Sequence, residues 1–188
     1  MRVPDNKLRI TGGALRSRLI SRVGLETTRE QQDIVRLASF NVLGNNLSGK
    51  AIDMFAGSGA IIFEAISRGV SEAYANDLND KAYHTIIENT RILSLENKVH
   101  VYNEDYLVFL NKIQNTVFDY VFIDPPYALL DYNGHALLFE RLVPLITGSS
   151  KIVMETRKEN DYEFKNYKKI FSRVYGIKRI VIYMLLNS

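Results

Sequence analysis

The residues best suited to chemistry are Asp124-Pro125-Pro126-Tyr127, which follow an apolar run over 117–123 broken only by Asp119. Each proline fixes φ and removes a backbone donor, so the run ends in a rigid turn. A strand thereby delivers a carboxylate to its own carboxyl end, beside an aromatic ring. Such a turn suits the holding of a flat, amine-bearing ring. Taken alone, the tetrapeptide is equally a loop after a strand, with Tyr127 a packing residue.

Three further features could carry chemistry. Asp53 precedes Phe55-Ala56-Gly57-Ser58-Gly59. Glycines there let a ligand approach the backbone, and the N-terminus of a following helix offers free N–H groups and a partial positive charge. Ile62 stands where a dinucleotide fingerprint has its third glycine, and no Lys-Ser or Lys-Thr pair follows, so neither that fingerprint nor a P-loop is present. Asp77 lies 20 positions beyond Gly57. An acid at that distance can accept both hydroxyls of a ribose, which implies a nucleoside cofactor without a ribose phosphate. Last, Glu104-Asp105 follows a short apolar stretch. Asp105 there serves either the exocyclic amine of an adenine or the cap of the next helix. A hydride-transfer enzyme would use the glycine loop and Asp77 but leave Asp-Pro-Pro-Tyr without a role.

The elements that must position these residues alternate from Lys50 onward. Strands are expected over 51–55, 72–76, 98–102, 118–124 and 151–154, with helices over 60–67, 80–95, 106–113 and 136–146. Asn79 or Asp80 would cap the second of these helices, and a mobile loop through Asp131, Asn133 and Gly134 would precede the last. The alternation predicts an α/β fold with a mostly parallel sheet and helices on both faces. Its ligand site should lie beyond the carboxyl ends of the strands, where strand order reverses. Segments 167–175 and 178–186, joined at Gly176, read as an antiparallel terminal hairpin.

Before this unit, residues 30–43 have helical apolar spacing, stopped by Gly44-Asn45-Asn46. Residues 1–29 hold Arg2, Lys7, Arg9, Arg16, Arg18, Arg22 and Arg29 against Asp5 and Glu26. Leu8 and Ile10 before Gly12-Gly13, with Leu15, Leu19 and Ile20 after, predict a small basic hairpin. It is either a solvated tail or, the reading favoured here, a contact for nucleic-acid phosphates. The 188 residues carry a net charge of +3, and 46% are hydrophobic and 24% charged, as expected of one globular domain with a short appendage. No cysteine is present and the three histidines are scattered, which excludes disulfides and leaves no expectation of a metal site. No apolar run approaches a membrane span, so a cytoplasmic location is expected.

Together, Asp53-Met54-Phe55-Ala56-Gly57-Ser58-Gly59, Asp77 and Asp124-Pro125-Pro126-Tyr127 resemble the S-adenosylmethionine-dependent methyltransferases that modify exocyclic amines of bases. Arg9-Ile10-Thr11-Gly12-Gly13, Arg16-Ser17-Arg18, Phe40-Asn41-Val42-Leu43 and Asn89 narrow this to a resemblance to the bacterial guanine-N2 methyltransferases of small-subunit ribosomal RNA, the RsmD family. The chain departs from the family pattern at Ser17, usually glycine, and within 29–37, where Arg29, Asp33 and Arg36 persist but neighbouring residues differ. The resemblance implies a Rossmann-like class I fold with a seven-stranded sheet over 30–188, preceded by the hairpin extension over 1–29. It implies catalysis by Asp124, Pro125, Pro126 and Tyr127, and a cofactor held by Asp53, Phe55, Ala56, Gly57, Ser58, Gly59, Asp77, Leu78, Asp105 and Tyr106. Arg9, Arg16, Arg18 and Arg29 would contact RNA, the partner being 16S ribosomal RNA or an assembling small subunit, and the protein would act as a monomer without metal. The rival expectations are an N6-adenine methyltransferase with the same catalytic turn, a methyltransferase of protein glutamine, and a non-catalytic RNA-binding protein of the same fold.

Overall fold

In the computed structural model, residues 6–24, 29–126 and 129–186 are described, and for 29–33 the backbone alone. A two-stranded hairpin, β1 (Lys7–Arg9) and β2 (Leu19–Ser21), leads into α1 (Arg29–Leu43). Then follow β3 (Lys50–Asp53), α2 (Ala60–Ser67), β4 (Glu72–Asn76), α3 (Asp80–Ile92), β5 (Val99–Tyr102), α4 (Tyr106–Lys112) and β6 (Phe118–Ile123). The chain closes with α5 (Tyr132–Leu142), β7 (Ile146–Arg157), β8 (Tyr167–Tyr175) and β9 (Lys178–Leu185). The seven strands of the main sheet stand in the order β5-β4-β3-β6-β7-β9-β8. β3 through β7 are parallel, and β9 runs antiparallel between β7 and β8. The order reverses between β3 and β6, so the site is expected at their carboxyl ends.

Neighbouring strand residues pack on opposite faces, as a sheet covered on both sides requires. Ala51, Ala73, Phe122 and Val153 join one buried cluster with α1, α2 and α3, while Ile52, Val121, Ile123 and Met154 join another with α4 and α5. Among the described residues no helix is long and apolar enough to cross a membrane.

Several boundaries differ from the sequence reading, and two of the differences have a clear local cause. Asp131 accepts a hydrogen bond from the Gly134 amide at 2.8 Å, so the residues expected as a mobile loop form the cap and first turn of α5. Thr147-Gly148-Ser149-Ser150 falls between the helix expected over 136–146 and the strand expected over 151–154, yet lies within β7. The pairing with β6 shifts register there, and the Ser150 hydroxyl donates to the Phe118 carbonyl at 2.6 Å while accepting from the Thr147 amide at 2.9 Å. Those side-chain bonds hold an irregular strand together where sequence pattern favours a break.

The hairpin is seated on α2. Leu8, Ile10 and Ile20 belong to the same buried cluster as Val35, Phe40 and Ile62. A Cβ on Gly13, whose φ is +74°, would meet the Ser67 carbonyl oxygen at 1.8 Å, so glycine is needed for this approach. Ser17 adopts φ 72°, a conformation that glycine enters without cost, and this is where the resembling family usually has glycine. Beneath the turn, fully buried Glu64 of α2 accepts from the Thr11 amide (2.9 Å), the Thr11 hydroxyl (2.6 Å) and the Gly12 amide (2.8 Å). It also pairs with Arg36 of α1 (3.0 Å) and Arg68 (2.7 Å).

Candidate active site

β3, β6, β7 and β9 bring their ends to one cavity of about 220 Å³, lined by Asp53, the 55–58 loop, Asp124, Glu155 and Lys178, with Arg22, Gly24 and Arg36 from the hairpin side. Asp53, Phe55, Ala56, Gly57, Ser58 and Asp124 are thus gathered as the sequence predicts. Gly57 has φ +55°, and a Cβ placed on it would meet nothing within 4 Å. The loop backbone therefore faces open space that a ligand can fill. Gly59 is the N-cap of α2 in a left-handed conformation, with no side chain capping the first turn.

Asp77, at the end of β4, accepts from the Gly57 amide at 2.8 Å and, through its other oxygen, from the Asn79 amide at 2.9 Å. Each oxygen retains a lone pair, which leaves capacity for two hydroxyls. Buried Asn76 donates to the Met54 and Glu104 carbonyls and accepts from the Glu104 amide, tying the ends of β3, β4 and β5 together. Asp105 is exposed and caps α4, accepting from the Leu107 amide at 2.9 Å. Tyr106 packs near Phe55 with ring centroids 5.6 Å apart, and Leu78 is exposed. Leu78, Asp105 and Tyr106 border the loop region without lining the cavity itself.

Pro125 is buried and Pro126 exposed, and the Leu129 amide donates to the Pro126 carbonyl at 2.8 Å. Tyr127 lies outside the described residues. On the hairpin, Arg16 and Arg18 are exposed and Arg9 is half-buried. The side chain of Arg29 also lies outside the description.

Sequence reasoning missed Glu155 and Lys178. The Lys178 ammonium stands 3.1 Å from Asp124 and 2.7 Å from Glu155. Burial pushes the Glu155 carboxyl up to about 8, reinforced by the charge of Asp124 and opposed by Lys178. For Lys178, burial works against the charge, but Glu155 and Asp124 outweigh it and raise its pKa. Burial likewise pushes Asp53 up to about 8; the Phe55 amide bond opposes this, and Asp124 and Asp77 add to it. Asp53 is 3% exposed and accepts from Phe55 at 3.1 Å, so it braces the loop chiefly as a neutral acid.

This arrangement sets a pH dependence. A carboxyl raised in the folded chain favours folding below its unfolded pKa and loses that contribution as pH rises through its folded pKa, here about 8 for Glu155. Lys178 supplies the cation that compensates Glu155 once it ionises. Lys178→Met should therefore lower the melting temperature more near pH 9 than near pH 5, by several degrees. Thermal melts of both proteins at the two pH values check this, and an equal loss at both would separate Lys178 from the ionisation of Glu155.

The family model described as Conserved hypothetical protein 95 matches residues 8–184. Ribosomal RNA small subunit methyltransferase D of Haemophilus influenzae is 30% identical over 181 residues, covering 86% of this chain and 94% of that protein. The protein of the same name from Buchnera aphidicola (subsp. Acyrthosiphon pisum) is 32% identical over 124 residues, 65% of this chain; the match spans less than two thirds, 64%, of that relative. Among solved structures, Escherichia coli yhhF, named as a suspected methyltransferase, is 25% identical and superposes with a TM-score of 0.76, covering 97% of this chain and 99% of that one.

Proposed function

We propose, since the chain belongs to the Conserved hypothetical protein 95 family, the RsmD-type ribosomal RNA methyltransferases, that it transfers a methyl group from S-adenosylmethionine to the exocyclic N2 amine of a guanine in 16S ribosomal RNA. One observation carries this reading: the Asp124 carboxylate, at the end of β6, lines the same cavity as the glycine loop.

The residues present fit the cofactor. The Gly57 loop leaves room for it, and Asp77 has acceptor capacity for ribose hydroxyls. Phe55 and Tyr106 offer ring faces to a purine, with Leu78 and Asp105 at its edge. When bound, S-adenosylmethionine supplies an electrophilic methyl group on a sulfonium sulfur. The protein's task is then mainly orientation, which is worth up to roughly 7–11 kcal/mol of barrier.

Guanine N2 is a weak nucleophile because its lone pair is delocalised into the ring. Asp124 and the Pro125 carbonyl accept hydrogen bonds from the NH2 group and localise that lone pair toward the donor. Lys178, 3.1 Å from Asp124, orients its carboxylate, and Tyr127 stacks on the base. The target base leaves its stack to reach this site, at a cost of a few kcal/mol that the new contacts offset. Arg9, Arg16, Arg18 and Arg29 neutralise RNA phosphates, a contribution that weakens with salt.

Nucleoside mass spectrometry of ribosomal RNA from cells lacking the gene tests the proposal. One N2-methylguanosine should disappear from the small-subunit RNA; an unchanged profile would remove the reading.

A further inference from the structure

A second depression lies between α1 and β8, the strand at the edge of the main sheet. It is a groove of about 440 Å³, lined by Ile34, Leu37 and Val42 of α1 and by Phe171, Arg173 and Tyr175 of β8. That volume is in the range that takes a small planar ligand. Alternation along β8 puts its three residues on one face, and Phe171 and Tyr175 pack on the buried cluster that α1 covers. Ile34, Leu37 and Val42 are exposed, although all three are large and apolar. The chain thus gathers an apolar wall, two half-buried rings and a guanidinium in one place at its surface.

Arg173 sets the polarity of the groove. Its guanidinium carbon lies 5.5 Å from the centroid of the Tyr175 ring, and among the described residues it has no anionic partner. No acidic side chain is among the described residues that line the groove. The groove is therefore positive and aromatic along β8 and apolar along α1. A nucleobase answers both sides, because its flat face stacks on a ring or a guanidinium and its phosphate balances the charge. An acidic peptide would answer the charge as well, so position has to decide between them.

Tyr175 stands directly opposite Lys178 in the antiparallel register of β8 on β9, and Lys178 reaches Asp124 at 3.1 Å. Adjacent strands lie about 4.8 Å apart, so the groove begins one strand away from the residue that holds the Asp124 carboxylate. α1 borders both depressions, with Arg36 lining the cavity and Leu37 the groove. RNA whose target base reaches Asp124 has its neighbouring nucleotides within reach of Tyr175. We infer that the groove takes the base of a nucleotide next to the target, stacked on Tyr175 and held by Arg173. The inference rests on the RNA methyltransferase reading of the preceding section. It adds the form of the substrate, a loop or single strand whose flanking base is free to leave its stack, rather than a duplex.

Fluorescence anisotropy tests this with two labelled, unstructured RNA strands, one carrying a single guanosine between adenosines and the other the same strand with the base removed on each side of the guanosine. Each is titrated with the wild type, Tyr175→Ala, Tyr175→Phe and Arg173→Ala. The wild type should hold the intact strand roughly 5- to 150-fold more tightly than the stripped one. Tyr175→Ala should lose most of that preference, Arg173→Ala part of it, and Tyr175→Phe should keep it. Affinity of each variant for S-adenosylhomocysteine, measured by calorimetry, should match the wild type and report an intact fold. A wild type without the preference, or a Tyr175→Ala that retains it, would overturn the inference. Unchanged RNA binding with methylation lost only on assembling particles would overturn it too, by giving the groove to a protein of the particle. The methylation reading is tested separately, by whether N2-methylguanosine appears in small-subunit RNA, and its failure would leave the binding result standing.

Discussion

Asp124→Ala should slow methyl transfer by on the order of 10²–10³-fold while leaving affinity for S-adenosylhomocysteine unchanged. The two effects separate because of where the residue stands. Asp124 belongs to the β6 end of the cavity, whereas the cofactor contacts are assigned to the loop after β3 and to Asp77. Lys178 keeps Glu155 as a partner at 2.7 Å when the Asp124 carboxylate is removed, so the ammonium is not left without a contact in the cavity wall. The loss then reports the missing acceptor for the amine rather than a collapsed site. Asp124→Asn, which keeps one carbonyl acceptor but adds a donor, should fall between. Single-turnover transfer from radiolabelled cofactor gives the rate, and calorimetry gives the affinity. Unchanged transfer would move the chemistry away from this turn.

Glu64→Ala should have the largest effect on stability. Glu64 is fully buried and receives six hydrogen bonds from Thr11, Gly12, Arg36 and Arg68. Removing the carboxylate leaves two buried guanidinium groups, each 5–6% exposed, without their shared counter-ion. Deleting one partner of such a cluster costs about 3–5 kcal/mol. For a chain of this size that lowers the melting temperature by on the order of 10 °C. The hairpin should also lose protection first, because the Thr11 and Gly12 amides would have no acceptor. Calorimetric melting with hydrogen exchange at Leu8, Ile10 and Ile20 measures both. A melting temperature within a degree or two of wild type would mean that the cluster offsets only its own desolvation.

Much of the site was legible because it is written in local sequence. Asp124 with its diproline, the glycine loop and Asp77 all follow short apolar runs, so strand pattern alone places them at strand ends. The sheet order around β3 and β6 then brings them together. Lys178 and Glu155 were not legible for the opposite reason. They meet through the antiparallel register of β9 on β7, a contact across 23 positions that no local pattern announces. Glu64 lies in a helix whose spacing shows where apolar residues face; its i,i+4 neighbour Arg68 is visible locally, but Thr11, Gly12 and Arg36 come from other elements and no spacing announces them. The start of α5 and the length of β7 were misjudged because Asp, Asn, Gly, Ser and Thr favour turns as strongly as they cap helices or brace bulges.

The most direct measurement is the identity of the product nucleoside. Purified protein should be incubated with labelled S-adenosylmethionine and small-subunit RNA or particles from cells lacking the gene. The RNA is then digested and its labelled nucleosides resolved by mass spectrometry. The account predicts N2-methylguanosine as the labelled product, made by the wild type and reduced to near background by Asp124→Ala. N6-methyladenosine in its place, or label incorporated equally by the variant, would contradict it.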